Sequence, residues 1–450
     1  MDYPAALDYL RSLADFERTG RFAVRTDVAP MLDLLRELGN PELGRLTVHV
    51  AGSKGKGSVA ALIESLLRTG GLRTGLFTSP HLLRFTERIQ IAGTPVSTEE
   101  FAHGLSEIAP AVARVQGRWP GRQLVTFDVL TALGLHLFRR HAVQVQVIEV
   151  GLGGLLDSTN VFAAKECAVI TRIGLEHTEI LGDTLAAIAR QKAGIITPAT
   201  TVVMAAQPPD AAEVIRKVAA EKAASLVDVA EQVQARVLGT NFPVQRILLQ
   251  TPLAEYESDL PLLGTHQLDN AATAVSAVEA LAPAGVQLTR AAVERGLATV
   301  HWPARIELVR RQPLVVLDAA HTVDSAVQLS ETLLDSLEIQ QATLVVGVMA
   351  DKDLPGLAAA IAPRARQVIA TQAAHPRSLP AAAVAEAFRA LGIPATLQTS
   401  VAQAVDTAIA LSAPTEAVVI LGSVALAGEA RAHLFGLEGD FWFTDHAPAR

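Results

Sequence analysis

The sequence predicts an α/β chain built on mostly parallel sheet and divided into two domains. Three observations carry this: β-branched runs alternate with helical patterns, a glycine-rich turn joins one such run to the helix after it, and a second alternation begins past Trp302. At 450 residues the chain exceeds one ordinary core, and 50% hydrophobic against 19% charged residues argues against disorder.

The first forty residues read as helical, around Ala5–Leu10 and Met31–Leu35, stopped by Gly39-Asn40-Pro41. Glycine and asparagine tolerate the left-handed cap, and proline cannot continue the ladder. Leu46 to Val50 is a β-branched buried strand, and Val59 to Leu67 has one-faced helical spacing. Strand patterns follow at Leu72–Phe77, Val143–Val150, Ala168–Thr171 and Thr201–Ala205, with helices over Glu99–Val115, Phe127–Arg139 and Leu185–Lys192. Val227 to Leu262 reads as β-like pieces of an antiparallel edge or small lobe, before helices over Asp269–Leu281 and Thr289–Leu297.

The domain boundary is expected near Ala298 to Trp302, giving units of 1–298 and 299–450. The second unit carries strands at Ile306–Val309, Leu314–Leu317, Leu344–Val348, Gln367–Ala370 and Val418–Leu421. Helices are expected over Val323–Leu337, after Asp353, near Leu379–Leu391 and over Val401–Leu411, and the last six residues read as frayed.

Forty-six acidic against 38 basic side chains, net −8, do not favour a nucleic-acid partner. One cysteine, Cys167, excludes an intrachain disulfide and a multi-cysteine metal cluster, and it reads as an apolar strand residue. No signal-peptide pattern and no apolar run of about 20 residues is present, so a cytoplasmic chain off the membrane is expected.

The sharpest local feature is Gly52-Ser53-Lys54-Gly55-Lys56-Gly57-Ser58 between a strand and a helix. Glycines let backbone amides approach phosphate, a helix N-terminus adds partial positive charge, and Lys56 supplies a full one. Ser58 is placed to meet magnesium directly or through water. The strict P-loop pattern fails, because Val50 stands at its first glycine and Gly57 separates Lys56 from Ser58. Lys54 is read as facing solvent. Glu149 ends a strand before Gly151-Leu152-Gly153-Gly154, His177 follows another strand, and Lys192 lies on the next helix. Spacing alone leaves two readings open: a cap partner, a loop histidine and a solvated lysine, or a magnesium-organising set.

Motifs in order across residues 49 to 423 resemble the folylpolyglutamate synthase/dihydrofolate synthase family of the Mur ligase superfamily. They are His49-Val50-Ala51-Gly52 with Gly55-Lys56-Gly57-Ser58; Thr78-Ser79-Pro80-His81-Leu82 with Phe85 to Ile89; and Glu149 to Gly154 with Asp157-Ser158-Thr159-Asn160. Glu176-His177, Lys192 to Ile196, His301 to Arg305, Asp318 with Ala320-His321, Asp351-Lys352-Asp353 and Gly422-Ser423 complete the set.

The resemblance implies a P-loop-type ATPase domain followed by a smaller Rossmann-like domain, acting as a monomer on ATP with Mg2+, L-glutamate and a folate or pteroate. It implies ATP contacts at Gly52, Ser53, Gly55, Lys56, Gly57, Ser58, Asn270, Arg305 and Asp318, and Mg2+ at Ser79, Glu149 and His177. Lys192 matches a lysine that becomes a carbamate. Pro80, His81, Arg84, Arg88 and Asp157 would meet the acid substrate, and His321, Lys352 and Ser423 the incoming amino acid; Lys56, Lys192, His321 and Arg305 would be the catalytic groups.

The chain departs from the family pattern at Ser53-Lys54 for Thr-Asn, at Leu155-Leu156 in a loop that often carries a charge, and at Ala319 and Thr322 in Asp-Gly-Ala-His-Asn. Glu176 replaces a frequent aspartate. Leu155, Leu156, Ala319 and Thr322 motivate an alternative, a ligase joining another carboxylate to an amino acid. A third reading is a non-catalytic nucleotide-binding regulatory protein.

Overall fold

The computed structural model describes residues 1–15, 17 and 27–440. The expected fraying of the last six residues lies outside them. Eight strands form the first sheet: β1 (Leu46–Ala51), β2 (Thr74–Phe77), β3 (Ile89–Ile91), β4 (Thr94–Pro95), β5 (Val145–Glu149), β6 (Cys167–Ile170), β7 (Thr201–Met204) and β8 (Ser225–Asp228). Their order is β4-β3-β2-β5-β1-β6-β7-β8, parallel from β2 to β8 and antiparallel at β3 and β4. The parallel strands are buried on both faces, which explains their unbroken Val/Ile/Leu runs. Helix Lys56–Thr69 covers one face with helix Thr265–Glu279, and helices Thr98–Arg118 and Thr126–Arg140 enclose a separate core around Phe77, Phe101 and Phe138.

The ambiguous 227–262 interval resolves into β8, which joins the main sheet, and a three-stranded antiparallel sheet of β9 (Gln234–Asn241), β10 (Val244–Gln250) and β11 (Glu255–Leu260). The last sheet holds β12 (Glu307–Arg311), β13 (Leu314–Leu317), β14 (Ala342–Val346), β15 (Ala365–Ala370), β16 (Ala395–Leu397) and β17 (Ala417–Leu421). Its order is β12-β13-β17-β14-β15-β16, with only β12 antiparallel.

The two large sheets face each other across a cleft. In the first, strand order reverses around β1, which pairs β5 on one side and β6 on the other. Loops leaving the carboxyl ends of such strands diverge and leave a crevice, where ligands of open α/β sheets bind. Cys167 is fully buried in β6, as its apolar reading requires. Among the described residues, no helix is long and apolar enough to cross a membrane.

Candidate active site

The cleft encloses about 2010 Å³. That exceeds a single small-molecule pocket of roughly 300–1,000 Å³ and leaves room for a nucleotide beside other substrates. Its floor is the glycine-rich turn after β1. Gly55 caps helix Lys56–Thr69 at φ 84°, and a β-carbon there would stand 2.4 Å from the Asn270 Oδ1. Glycine is thus required both for the turn and for the approach of helix Thr265–Glu279.

The amides of Ser53 and Lys54 both donate to the Arg172 carbonyl at 3.0 Å, and the Ser53 hydroxyl donates to the Gly174 carbonyl at 2.9 Å. Ser53 lines the cleft, and its amide and hydroxyl hydrogens anchor the loop to the segment after β6. The free amides are those opening the helix, at Lys56, Gly57 and Ser58, where an anion is favoured. Gly52 contributes through its carbonyl, which accepts from the Lys192 Nζ at 2.7 Å. Lys54 does not face solvent as expected: it is half-buried and donates to the Thr322 Oγ1 at 3.1 Å across the cleft.

Glu149 ends β5 and is 4% exposed, accepting from the Ser79 amide at 3.1 Å. Burial pushes its carboxyl up to about 7, against the pull of Lys56, the Ser79 amide and Arg305. A carboxylate so poorly solvated fits a cation. His177, at φ 47° after β6, is held neutral by burial, down to about 4. A neutral imidazole, a hydroxyl at Ser79 and one carboxylate are donors suited to a divalent ion that keeps waters and takes phosphate oxygens.

Lys192, 1% exposed near the end of helix Leu185–Ala193, pairs with Glu176 at 2.8 Å. Burial lowers its ammonium to about 8, although Glu176 pulls the other way. For Glu176 the order reverses: burial would raise the carboxyl, but Lys56, Lys192 and Lys54 outweigh it and hold it at about 2. Glu176 is a site residue that sequence reasoning quoted in a motif without assigning it a contact; its adjacency to His177 was the available signal.

On the opposite wall, Asp318 at the end of β13 accepts from the Ile306 amide at 2.8 Å and the Ala320 amide at 2.7 Å, fixing the turn that carries Arg305. Each of its oxygens keeps a further lone pair, and the residue lines the cleft. His321 donates Nδ1–H to the Ala319 carbonyl at 2.8 Å, because a carbonyl only accepts, so Nε2 is left as an acceptor. Burial lowers His321 to about 4. Ser423 caps helix Val424–Phe435, accepting from the Leu426 amide at 3.1 Å, and Lys352 pairs with Asp351 at 2.8 Å. Asn270, Arg305, Lys352 and Ser423 all line the same cleft.

The acid-substrate candidates divide. Pro80 and His81 line the cleft. Arg88, also on its wall, is 2% exposed and grips Glu17 with two hydrogen bonds, at 3.0 and 2.5 Å, while its Nε donates to the His81 Nδ1 at 2.9 Å. It is a buried ion-pair residue rather than a surface one. Arg84 is not on the cleft wall; it turns to Glu438 at 2.9 Å. The Asp157 carboxylate accepts from the amides of Leu152 and Thr159 and from the Thr159 hydroxyl, so it shapes its own loop. In that loop Leu156 lines the cleft, whereas Leu155 is 46% exposed.

Two family models match the chain: the Mur ligase middle domain over residues 50–278, and the Mur ligase glutamate ligase domain over residues 304–424. The folylpolyglutamate synthase of Lacticaseibacillus casei is 33% identical over 439 residues, 97% of this chain and 99% of that protein. The dihydrofolate synthase/folylpolyglutamate synthase of Mycobacterium tuberculosis is 36% identical over 91% of this chain and 90% of its own length. A probable bifunctional folylpolyglutamate synthase/dihydropteroate synthase of Haloferax volcanii is 34% identical over 96% of this chain, which spans 50% of that longer relative. The crystal structure of Mycobacterium tuberculosis folylpolyglutamate synthase complexed with ADP and AMPPCP superposes with a TM-score of 0.89 at 34% identity, over 98% of this chain and 100% of that one. The chain belongs to the folylpolyglutamate synthase/dihydrofolate synthase family of ATP-dependent ligases, within the Mur ligase superfamily.

Proposed function

We propose that the protein adds L-glutamate to tetrahydrofolate, and to dihydropteroate as well, through an acyl phosphate formed from ATP. The observation that carries this reading is one cleft lined by the Lys56 turn, Glu149 and Glu176 on one wall and by Arg305, His321 and Ser423 on the other. Phosphoryl transfer needs positioning and charge stabilisation more than covalent chemistry, and those groups supply both.

In this mechanism the amides of Lys56, Gly57 and Ser58 and the Lys56 ammonium hold the ATP phosphates, with Asn270, Arg305 and Asp318 toward the nucleoside. Ser79, Glu149 and His177 would hold Mg2+, which supplies charge neutralisation between phosphates. The acceptor carboxylate attacks the γ-phosphorus and ADP departs. The amine of glutamate then attacks the acyl carbon, phosphate leaves, and the neutral His321 Nε2 takes the amine proton. Lys352 and Ser423 orient the amino acid. The Lys192 amine, lowered to about 8, is often enough uncharged at neutral pH to react with carbon dioxide, which supports the carbamate reading. The working units remain 1–298 and 299–450, acting as a monomer.

The test offers dihydropteroate and tetrahydrofolate separately with ATP, Mg2+ and L-glutamate, and reads products by mass spectrometry beside ADP release. Glutamyl products from both acceptors are expected. ATP binding without product from either would turn attention to another carboxylate acceptor, with Leu156 on the cleft wall as the place to look.

A further inference from the structure

Two positions at which the chain departs from the family pattern, Lys54 and Thr322, are 268 residues apart and touch each other. The backbone of Lys54 is fixed by its amide's bond to the Arg172 carbonyl, so only its side chain is available to act. That side chain leaves the phosphate loop and crosses the cleft to the Thr322 Oγ1. Thr322 follows His321 directly and caps helix Val323–Asp335, its hydroxyl receiving the Ser325 amide and pairing with the Ser325 Oγ at 2.9 Å. The contact therefore ends on the residue next to the imidazole that faces the amine, not on a remote surface.

A free lysine side chain loses considerable rotamer freedom when fixed, so a lysine held across a cleft reports a contact that outweighs that cost. Burial opposes its charge and lowers the ammonium; Glu176 and Asp324 lie near enough to favour the charge, and Lys56 and Lys352 oppose it. An ammonium has three donors, and one of them is engaged by Thr322.

We propose that Lys54, acting through Thr322, is a positioning residue for the amide-forming half of the reaction: it sets His321 and the incoming amine over the acyl phosphate. This rests on the acyl-phosphate reading above. Phosphoryl transfer belongs to Lys56 and the helix amides, which do not depend on the contact; amine attack requires both walls in register and does.

The test separates the halves. Acyl-phosphate formation is read by positional isotope exchange in bridge-labelled ATP with dihydropteroate or tetrahydrofolate and no amino acid. Amide formation is read as glutamyl product. Lys54→Met is expected to leave the exchange within about threefold while product turnover falls about tenfold or more, the effect of losing a hydrogen bond to a charged group. Lys54→Arg and Thr322→Ser restore most of the turnover. Thr322→Val behaves like Lys54→Met, and the double variant is no worse than the poorer single one, as coupled residues require. Thermal melts of each variant exclude unfolding as the cause.

Hydrogen exchange over residues 318–326 reads the contact whatever the acceptor. Lys54→Met should accelerate it, and unchanged exchange there overturns the proposal. Equal losses in both half-reactions make Lys54 a phosphate cation, and no loss in either makes it a bystander; both also overturn it. Wild-type protein showing neither isotope exchange nor glutamyl product with either acceptor sinks the folate reading instead, and hydrogen exchange then decides the Lys54 contact alone.

Discussion

Gly55→Ala tests whether the glycine-rich turn and Asn270, the proposed nucleoside contact, are mechanically linked. Alanine at φ 84° costs about 1–2 kcal/mol for the left-handed conformation alone. Its methyl would stand 2.4 Å from the Asn270 Oδ1, closer than real side chains come, so Asn270 must move. Moving it breaks its hydrogen bond to the Gln267 Oε1, now 3.0 Å, at about 1 kcal/mol, and forces a poorer rotamer at about 1 kcal/mol more. Gly44 is the control: it sits at φ 83° with nothing within 4 Å of a β-carbon, so Gly44→Ala carries the conformational cost only. Both variants should lose similar stability from backbone strain in thermal melts. In titration calorimetry Gly55→Ala alone should weaken ATP, by about tenfold for 1.4 kcal/mol. In an Asn270→Ala background, which already lacks the displaced group, Gly55→Ala should weaken ATP little further. The linkage is refuted if Gly55→Ala binds ATP as well as Gly44→Ala does.

Other consequences reach the rest of the cleft. His375 accepts from the Arg377 amide at 3.0 Å, and burial lowers it to about 4, below the roughly 6.5 of an unfolded histidine. Between those values the unfolded chain takes the proton and the folded one does not, so its contribution is complete above about 6.5 and lost as pH falls toward 4. Denaturation midpoints of His375→Gln should therefore fall less steeply over that range than wild type; identical slopes would count against it. Glu176→Gln leaves Lys192 buried with the Gly52 carbonyl, and a loss of about 2–4 kcal/mol is expected in urea unfolding, softened as the amine sheds its proton. An unchanged midpoint would mean that the pair is not formed in solution. Gly428→Ala would put a methyl 2.2 Å from the Leu82 carbonyl oxygen, wedging helix Val424–Phe435 away from the opposite wall. Overpacking of about 1–3 kcal/mol should reduce amide formation more than ATP binding, and equal kinetics with wild type would refute the wedge.

Much of this architecture was legible from local pattern, for a physical reason. Buried parallel strands need continuous apolar runs, so β1, β5, β6 and β17 announce themselves, and the turn after β1 needs glycine whatever the rest of the chain does. Elements lacking such a signature stayed hidden. Helix Pro209–Glu221 does present one buried face, but it is built mostly of alanines, Ala211, Ala212 and Ala219, with only Ile215 and Val218 as large apolar residues. Helix Val424–Phe435 carries small apolar residues around much of its girth, with Gly428 inside it, so it shows no clean face. The strands β8 and β16 are short pieces at sheet edges, below what a window of residues resolves.

The sequence by itself determined the fold class, the order of its parts and residue types suited to phosphate and a divalent ion, because those depend on periodicity and on chemistry within a few residues. Only the tertiary structure decided partnership. Arg88 reads as a cation for the acid substrate, and only folding sets Glu17 against it; Asp157 reads as a contact of the same substrate, and only folding shows its carboxylate also bound within its own loop on the cleft wall; Lys54 reads as solvated until the opposite wall brings Thr322 within 3.1 Å. A side chain's charge is local, but what neutralises it arrives from residues 71 or 268 positions away, and that is set by how the two sheets dock.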